Sequence, residues 1–447
     1  DIDLFFEHLN AKSNFTGKLK PKIICVTGSN GKSTTTALIH HILKGVSKNV
    51  EMGGNIGRPV MDLNLENSDS IKVIELSQVL AAPFCGYQFS LLGAEVIKVE
   101  MPKAPDCARN RGPIAELNKN GLGLTYQVQG GNKKSLAIDL RTDAGRETLL
   151  RLVESADVFL ENYATGVMEE LGFGYDELCV RNPGIVYCSM TGYGDKGPKS
   201  SKGAYDNTIQ AASGIISQSD GNKPGLSFVD YAAGYSAAFA LSAALLQKSR
   251  TGKGCYISAS MLEVALSLMA PEVAAKQCSP LQEKPREAGI SQFDTADGIL
   301  MLGAFKPSQY RKLAQCLKEQ GFEICSLSGV ELWDDIWSKS EDIYKELKNV
   351  FIQKPTEKWQ QLLDKWDIPA EPILTLEEAI KDEQIITRGY YTSTSENSEV
   401  RLPSAPFQMS QGGPVINRAP PTLGQDSREV LRAIGMNENE IDLIFLD

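Results

Sequence analysis

From residue 71 to residue 258, short aliphatic runs alternate with stretches of helical character. Few architectures accept that order. Ile71–Leu76 reads as a strand, residues 82–92 as a helix, and Ala94–Val99 as a second strand. Ser135–Asp139, Ala156–Leu160, Ile185–Met190 and Cys255–Ser258 read as further strands. Thr142 is a natural N-cap for a helix through Leu149, Leu150 and Val153, with Asp143 in its first turn. Ser236–Leu246, rich in Ala and Leu, reads as a buried helix ahead of the turn Thr251-Gly252-Lys253-Gly254. Strands separated by helices line up in parallel, so the expected fold is a doubly wound, Rossmann-like α/β sheet. Residues 271–404 differ. Gly298–Leu302 reads as a strand, amphipathic helices follow, and all four Trp lie there. Trp333 with Trp337, and Trp359 with Leu363, are spaced i,i+4, which predicts core packing.

Composition narrows the function. A net charge of −10 argues against a general nucleic-acid binder. No apolar run reaches the roughly 18 residues of a membrane span, so no membrane partner is expected. Nine scattered cysteines predict reduced thiols and a cytoplasmic protein. The three histidines are His8, His40 and His41. Nothing later can use imidazole as base or ligand, which excludes Ser-His-Asp triads and histidine metal sites there. No metal site is expected.

The charge is uneven. Residues 1–68 hold eight Lys/Arg against six Asp/Glu, a net of +2, which leaves −12 for the remainder. Within this segment the run Lys22–Val26 leads into Thr27-Gly28-Ser29-Asn30-Gly31-Lys32-Ser33-Thr34, and an apolar helical stretch follows. That is the order of a phosphate cradle. Gly28, Asn30 and Gly31 shape the loop, Lys32 reaches outer phosphates, and Ser33 or Thr34 can hold Mg²⁺. With Gly53-Gly54-Asn55-Ile56-Gly57, the segment resembles the phosphate loop of Mur ligases, in particular the muramoyl-alanine–glutamate ligases. The resemblance implies ATP and Mg²⁺ at this loop. It stops near residue 68, without that family's remaining domains or its later His. Residues 1–68 are therefore expected to be a fragment, left by a fusion or a joining error at the shared word Val73-Ile74-Glu75-Leu76-Ser77.

The rest of the chain, about 69–440, resembles the class III (CaiB/BaiF) CoA-transferases. The matching strings run in family order. Among them are Leu92–Glu100, Asn132-Lys133-Lys134-Ser135, Asp139-Leu140-Arg141-Thr142 and Glu161-Asn162-Tyr163. Tyr205-Asp206, Asp230, Arg250–Gly254 and Ala419–Gly424 follow. The resemblance implies a large domain over 69–270, a smaller α+β domain over 271–404 and a return to the large domain over 405–447. It also implies an intertwined homodimer, with an acyl-CoA and a small carboxylic acid as substrates.

Moving CoA between acids needs a carboxylate nucleophile, and no histidine is required. By the residues alone, Asp230 reads as an N-cap, because an apolar helix follows. The resemblance makes it the nucleophile, with the helix N-terminus favouring its ionised form. Asp206 reads alone as a turn residue, and the resemblance places it near the active site. Racemases of the same superfamily carry a catalytic His where this chain has Tyr205. A phenol is a poor base at neutral pH, which disfavours a racemase or isomerase. The resemblance also places Val79, Leu80 and Ala81 beside the thioester, Asn162 and Tyr163 on the cofactor, and Ile138 and Arg141 near its adenine. Met101 stands where an Arg often meets the phosphates, so Lys103 is expected to compensate. Lys202 lies one place from a lysine of formyl-CoA transferases. Those enzymes carry Gln where this chain has Leu80, which argues against a formyl or oxalyl substrate. An ATP-dependent ligase or a non-catalytic fusion are the remaining alternatives.

Overall fold

The computed structural model describes residues 70–219, 221–278, 287–393 and 400–445. The chain divides into two compact units. One runs to Leu268 and resumes at Thr392, and Met269–Tyr391 form the other.

Six strands build the first unit: β1 (Lys72–Leu76), β2 (Glu95–Glu100), β3 (Lys134–Ala137), β4 (Val158–Glu161), β5 (Val186–Thr191) and β6 (Cys255–Ser260). They lie in the order β3-β2-β1-β4-β5-β6, every neighbouring pair parallel. This is the doubly wound order expected from the alternation. Its helices include α1 (Ala81–Leu91), α2 (Asp143–Glu154), α3 (Asp206–Ser213) and α4 (Phe228–Thr251). Thr142 caps α2 as expected, its hydroxyl accepting the Gly145 N–H at 3.1 Å. One face of α2 buries Leu149, Leu152 and Val153 against Ile74, Ile97, Leu136 and Phe159 of the sheet. Helix α1 is mostly apolar and is buried at every position except Phe89. Gly86 within it lets the Glu75 carboxylate approach, since a Cβ there would lie 1.9 Å from Glu75 Oε2.

Two expectations change. The stretch 236–246 belongs to a longer helix, α4, which ends at Gly252 in the left-handed conformation. By length and composition α4 is apolar enough to cross a membrane, but one face belongs to the core of this unit through Val229, Ala233, Ala237 and Leu241. Its other face is exposed at Phe239 and Leu246, so it is not a buried helix throughout. The edge of the sheet at β3 is met by the chain's return. Asp426 Oδ2 accepts the Ser135 N–H at 2.9 Å and Ser427 Oγ that of Ala137 at 3.1 Å, which satisfies an edge otherwise open to pairing.

In the second unit, β7 (Gln292–Asp294), β8 (Ile299–Leu302) and β9 (Ala370–Pro372) form an antiparallel sheet. Helices α5 (Pro307–Glu319), α6 (Trp333–Phe351) and α7 (Thr356–Lys365) share its core. Trp359 and Leu363 are fully buried, and the Trp359 indole donates to the Phe351 carbonyl at 2.7 Å. Trp337 is 41% exposed, so its i,i+4 spacing with Trp333 marks an aromatic contact at the surface instead of core.

Candidate active site

In a sheet of this order the chain leaves β1 and β4 to opposite sides, and a crevice opens beyond their carboxyl ends. A cavity of about 230 Å³ lies there. The loop after β1 supplies Gln78, Val79, Leu80 and Ala81, and the loop after β4 supplies Asn162 and Tyr163. Thr191 and Gly192 come from the end of β5, and Lys202, Tyr205, Asp230 and Met261 are among the further lining residues. Strand ends on one edge of one sheet thus gather residues that are far apart in sequence.

Asp230 is the third residue of α4, and Ser227 holds the N-cap position, so the N-cap reading of Asp230 is corrected. The first turn is held from outside. Asp206 Oδ2, at the start of α3, accepts the N–H of Val229 at 2.9 Å and of Asp230 at 3.2 Å. Asp206 is 4% exposed and acts behind the pocket wall. Burial pushes the Asp230 carboxyl up to about 7, and the Asp206 charge adds to this. The expectation that a helix N-terminus keeps Asp230 readily ionised is therefore corrected: loss of solvation outweighs the helix dipole.

The pocket holds one carboxylate, that of Asp230, and one cation, Lys202, among its described lining residues. The N–H groups of Leu80 and Ala81, at the start of α1, make no hydrogen bond among the described residues. Such donors beside a carboxylate suit a carbonyl oxygen that gains negative charge during acyl transfer. Among the described residues no cluster of three His, Cys, Asp or Glu has metal-holding geometry.

Residues 69–427 match CoA-transferase family III. The chain belongs to that family. A succinyl-CoA:glutarate CoA-transferase of Mus musculus is 31% identical over 406 residues, covering 85% of this chain and 89% of the relative. A succinate–glutarate CoA-transferase of Agrobacterium fabrum is 32% identical over 386 residues, covering 81% and 94%. A crystal structure of a CaiB/BaiF family protein from Brucella suis superposes with a TM-score of 0.69 at 26% identity, covering 82% of this chain and 99% of that one. The protein is a CoA-transferase, an enzyme whose substrates are acyl-CoA and a carboxylic acid.

The transferase's pocket brings together Val79, Leu80, Ala81, Asn162, Tyr163, Lys202, Tyr205 and Asp230. Other positions named from the resemblance lie elsewhere. Ile138 puts its side chain in the core, 1% exposed. Arg141 is exposed and forks onto Asp139 at 2.9 and 2.6 Å, which holds that carboxyl down at about 2. Lys103 follows β2 and is exposed. The loop residues Gly28, Asn30, Gly31, Lys32, Ser33 and Thr34, with their ATP and Mg²⁺ reading, lie outside the described residues. Strand-end residues such as Thr191 received no role from the sequence, although the rule that ligands sit beyond carboxyl ends of strands points to them.

The wall at Ala81 depends on close helix contact. A Cβ on Gly234 of α4 would lie 2.7 Å from the Ala81 carbonyl oxygen and 2.8 Å from Phe84 Cδ1. Gly234→Ala gains about 1 kcal/mol of helix propensity but overlaps rigid backbone at a cost of about 1–3 kcal/mol. The expected outcome is a lower urea midpoint together with reduced kcat/KM. A raised midpoint would show that the helices have room to separate.

Proposed function

We propose that this transferase carries CoA from a dicarboxylic acyl-CoA of the succinyl type to a second small dicarboxylic acid, with Asp230 as the nucleophile. The observation that carries the reading is the isolation of Asp230 as the one carboxylate on the described wall. Its oxygen attacks the thioester carbonyl, the C–S bond breaks, and CoA leaves as thiolate. The thiolate then attacks the Asp230 carbonyl of the resulting mixed anhydride and expels the donor acid as carboxylate. The incoming acid attacks the aspartyl thioester and again releases the thiolate. That thiolate takes the new acyl group and frees Asp230. Every nucleophile and leaving group is an anion, so no proton needs to be shuttled. Lys202 supplies one positive charge for the second carboxylate of such substrates. The named relatives, which act on succinate and glutarate, support the same class.

The racemase reading needs a second base. Tyr205 is 66% exposed and carries a phenol, which suits that role poorly. The test of the transferase reading is a reaction without ATP, offering succinyl-CoA and a panel of mono- and dicarboxylic acids, with products followed by mass spectrometry. New acyl-CoA from dicarboxylates, at least about tenfold faster than from monocarboxylates of equal length, is expected. Strict ATP dependence, or no transfer by folded protein, would count against it.

We also propose a homodimer. Tyr235, Phe239 and Leu246 of α4 are 39%, 77% and 55% exposed, a contiguous apolar face that suits a second copy. Sedimentation should give the dimer mass for the native chain and a shift toward monomer for Phe239→Asp. A native chain that sediments as monomer would refute the dimer.

A further inference from the structure

The loop that carries the β1 side of the pocket is built around a costly conformation. Val79 has a φ of 68°, in the left-handed region. A β-branched residue is a poor occupant of that region, which usually falls to glycine. Such a backbone persists only where its surroundings over-determine it.

The surroundings do so atom by atom. The Ser77 carbonyl accepts from Lys98 Nζ at 2.6 Å. The Gln78 N–H donates to Asn162 Oδ1 at 2.8 Å, and the Gln78 carbonyl accepts from Asn162 Nδ2 at 2.9 Å. The Val79 N–H donates to Asp106 Oδ1 at 2.9 Å. The Val79 carbonyl accepts from Gln129 Nε2. Asp106 and Gln129 are 1% and 2% exposed, and neither lines the pocket. Asp106 is itself anchored. Its Oδ2 lies 3.2 Å from Lys98 Nζ, and its N–H donates to Glu100 Oε1 at 3.1 Å. The peptide groups on either side of Val79 are therefore gripped by side chains from separate parts of the chain. The two N–H groups that follow, of Leu80 and Ala81, have no partner among the described residues and belong to the pocket wall.

We propose that Asp106 and Gln129 are positioning residues. They clamp the Val79 peptide from its N–H and its carbonyl, hold it in the left-handed conformation, and so keep the Leu80 and Ala81 amides aimed for acyl transfer at Asp230. The functional half of this inference rests on the transferase reading of Asp230, and the conformational half stands without it. If Val79 could relax to negative φ, the following peptide would rotate and carry the Leu80 N–H away from its place.

Gln129→Met keeps the volume and removes the donor. Hydrogen exchange across residues 77–84 should quicken at least about tenfold in this variant, with the rest of the first unit unchanged. With succinyl-CoA and glutarate, kcat should fall about tenfold or more while KM for succinyl-CoA moves less than threefold. A merely structural role would quicken the local exchange without the selective fall of kcat relative to KM. Adding Val79→Gly to Gln129→Met should recover part of the lost kcat, because glycine holds positive φ without help. Gln129→Leu, which also removes the donor to the Val79 carbonyl, serves if Gln129→Met does not fold. Unchanged exchange at 77–84 in Gln129→Met, or an equal loss through KM, would overturn the clamp. If the native protein moves no CoA from succinyl-CoA to glutarate while Gln129→Met still shows the local exchange effect, the proposed acyl transfer at Asp230 falls and the conformational clamp stands.

Discussion

Asp230→Asn is expected to lower CoA transfer by at least about 10³-fold while free CoA still binds, because the amide cannot form the anhydride. Hydroxylamine added to the native protein with succinyl-CoA should leave a hydroxamate on the peptide containing residue 230, and none in the variant. A variant with retained activity would remove Asp230 from the chemistry. The pH dependence follows from the environment of the same group. Burial, with Asp206 beside it, pushes the carboxyl up to about 7. The nucleophile is the ionised form, so kcat/KM for acyl-CoA should rise with pH through about 7 and fall about tenfold per unit on the acid side. A profile flat from pH 5 to 8 would show that the site solvates Asp230 better than its burial implies. Stability runs the opposite way. The unfolded carboxyl releases its proton near the ordinary 3.8, the folded one only near 7. Between those values the folded state binds more protons, so stability falls as pH rises and levels off above about 7. Asp230→Asn removes that loss. Its gain in melting temperature should be absent near pH 4, grow toward pH 7 and stay constant above.

Lys98→Met is expected to be the most destabilising single change in the first unit, by about 3–5 kcal/mol, because it strands buried carboxylates. Lys98 is 1% exposed and lies 3.3 Å from Glu75 Oε1 and 3.2 Å from Asp106 Oδ2. Burial pulls its proton affinity down, but Asp106, Glu75 and Glu100 more than offset this, so it stays charged across the working range. Lys133 shares Glu75 at 2.7 Å, and there burial wins and lowers its affinity. The difference follows from surroundings, since Lys133 feels Lys98 as a like charge. Lys134→Met is the matched control. Lys134 binds Glu95 at 2.8 Å and Glu429 at 2.9 Å from a partly exposed position, where a pair is worth about 0–1 kcal/mol. Urea denaturation of both variants checks the contrast, and equal midpoints would show that the buried ions contribute no more than surface ones.

The parallel sheet was legible because strand and helix periodicities survive in short windows. Strand limits shifted by only one or two residues: Ala94–Val99 became Glu95–Glu100, and Ile71–Leu76 became Lys72–Leu76. Thr142 was legible because a cap is a local interaction. The start of α4 was not. Its first turn is held by Asp206, more than twenty residues earlier, and no word near Ser227 signals that. Val79 was equally opaque, since positive φ is normally advertised by glycine, and here side chains impose it on valine.

The sequence alone determined the order of elements, the want of imidazole after residue 41 and the carboxylate candidates, all of which depend on residue type and short spacing. Resemblance narrowed those candidates to Asp230. Only the tertiary structure decided which charges meet. Register sets Glu75 directly opposite Lys98, and both are buried, whereas a lone charge in either strand would be expected to face water. It also decided that Asp230 is a reluctant acid's conjugate, not a freely ionised one. Solvation and neighbouring charge are properties of a place in space, and a linear pattern carries them only when the partners are close along the chain.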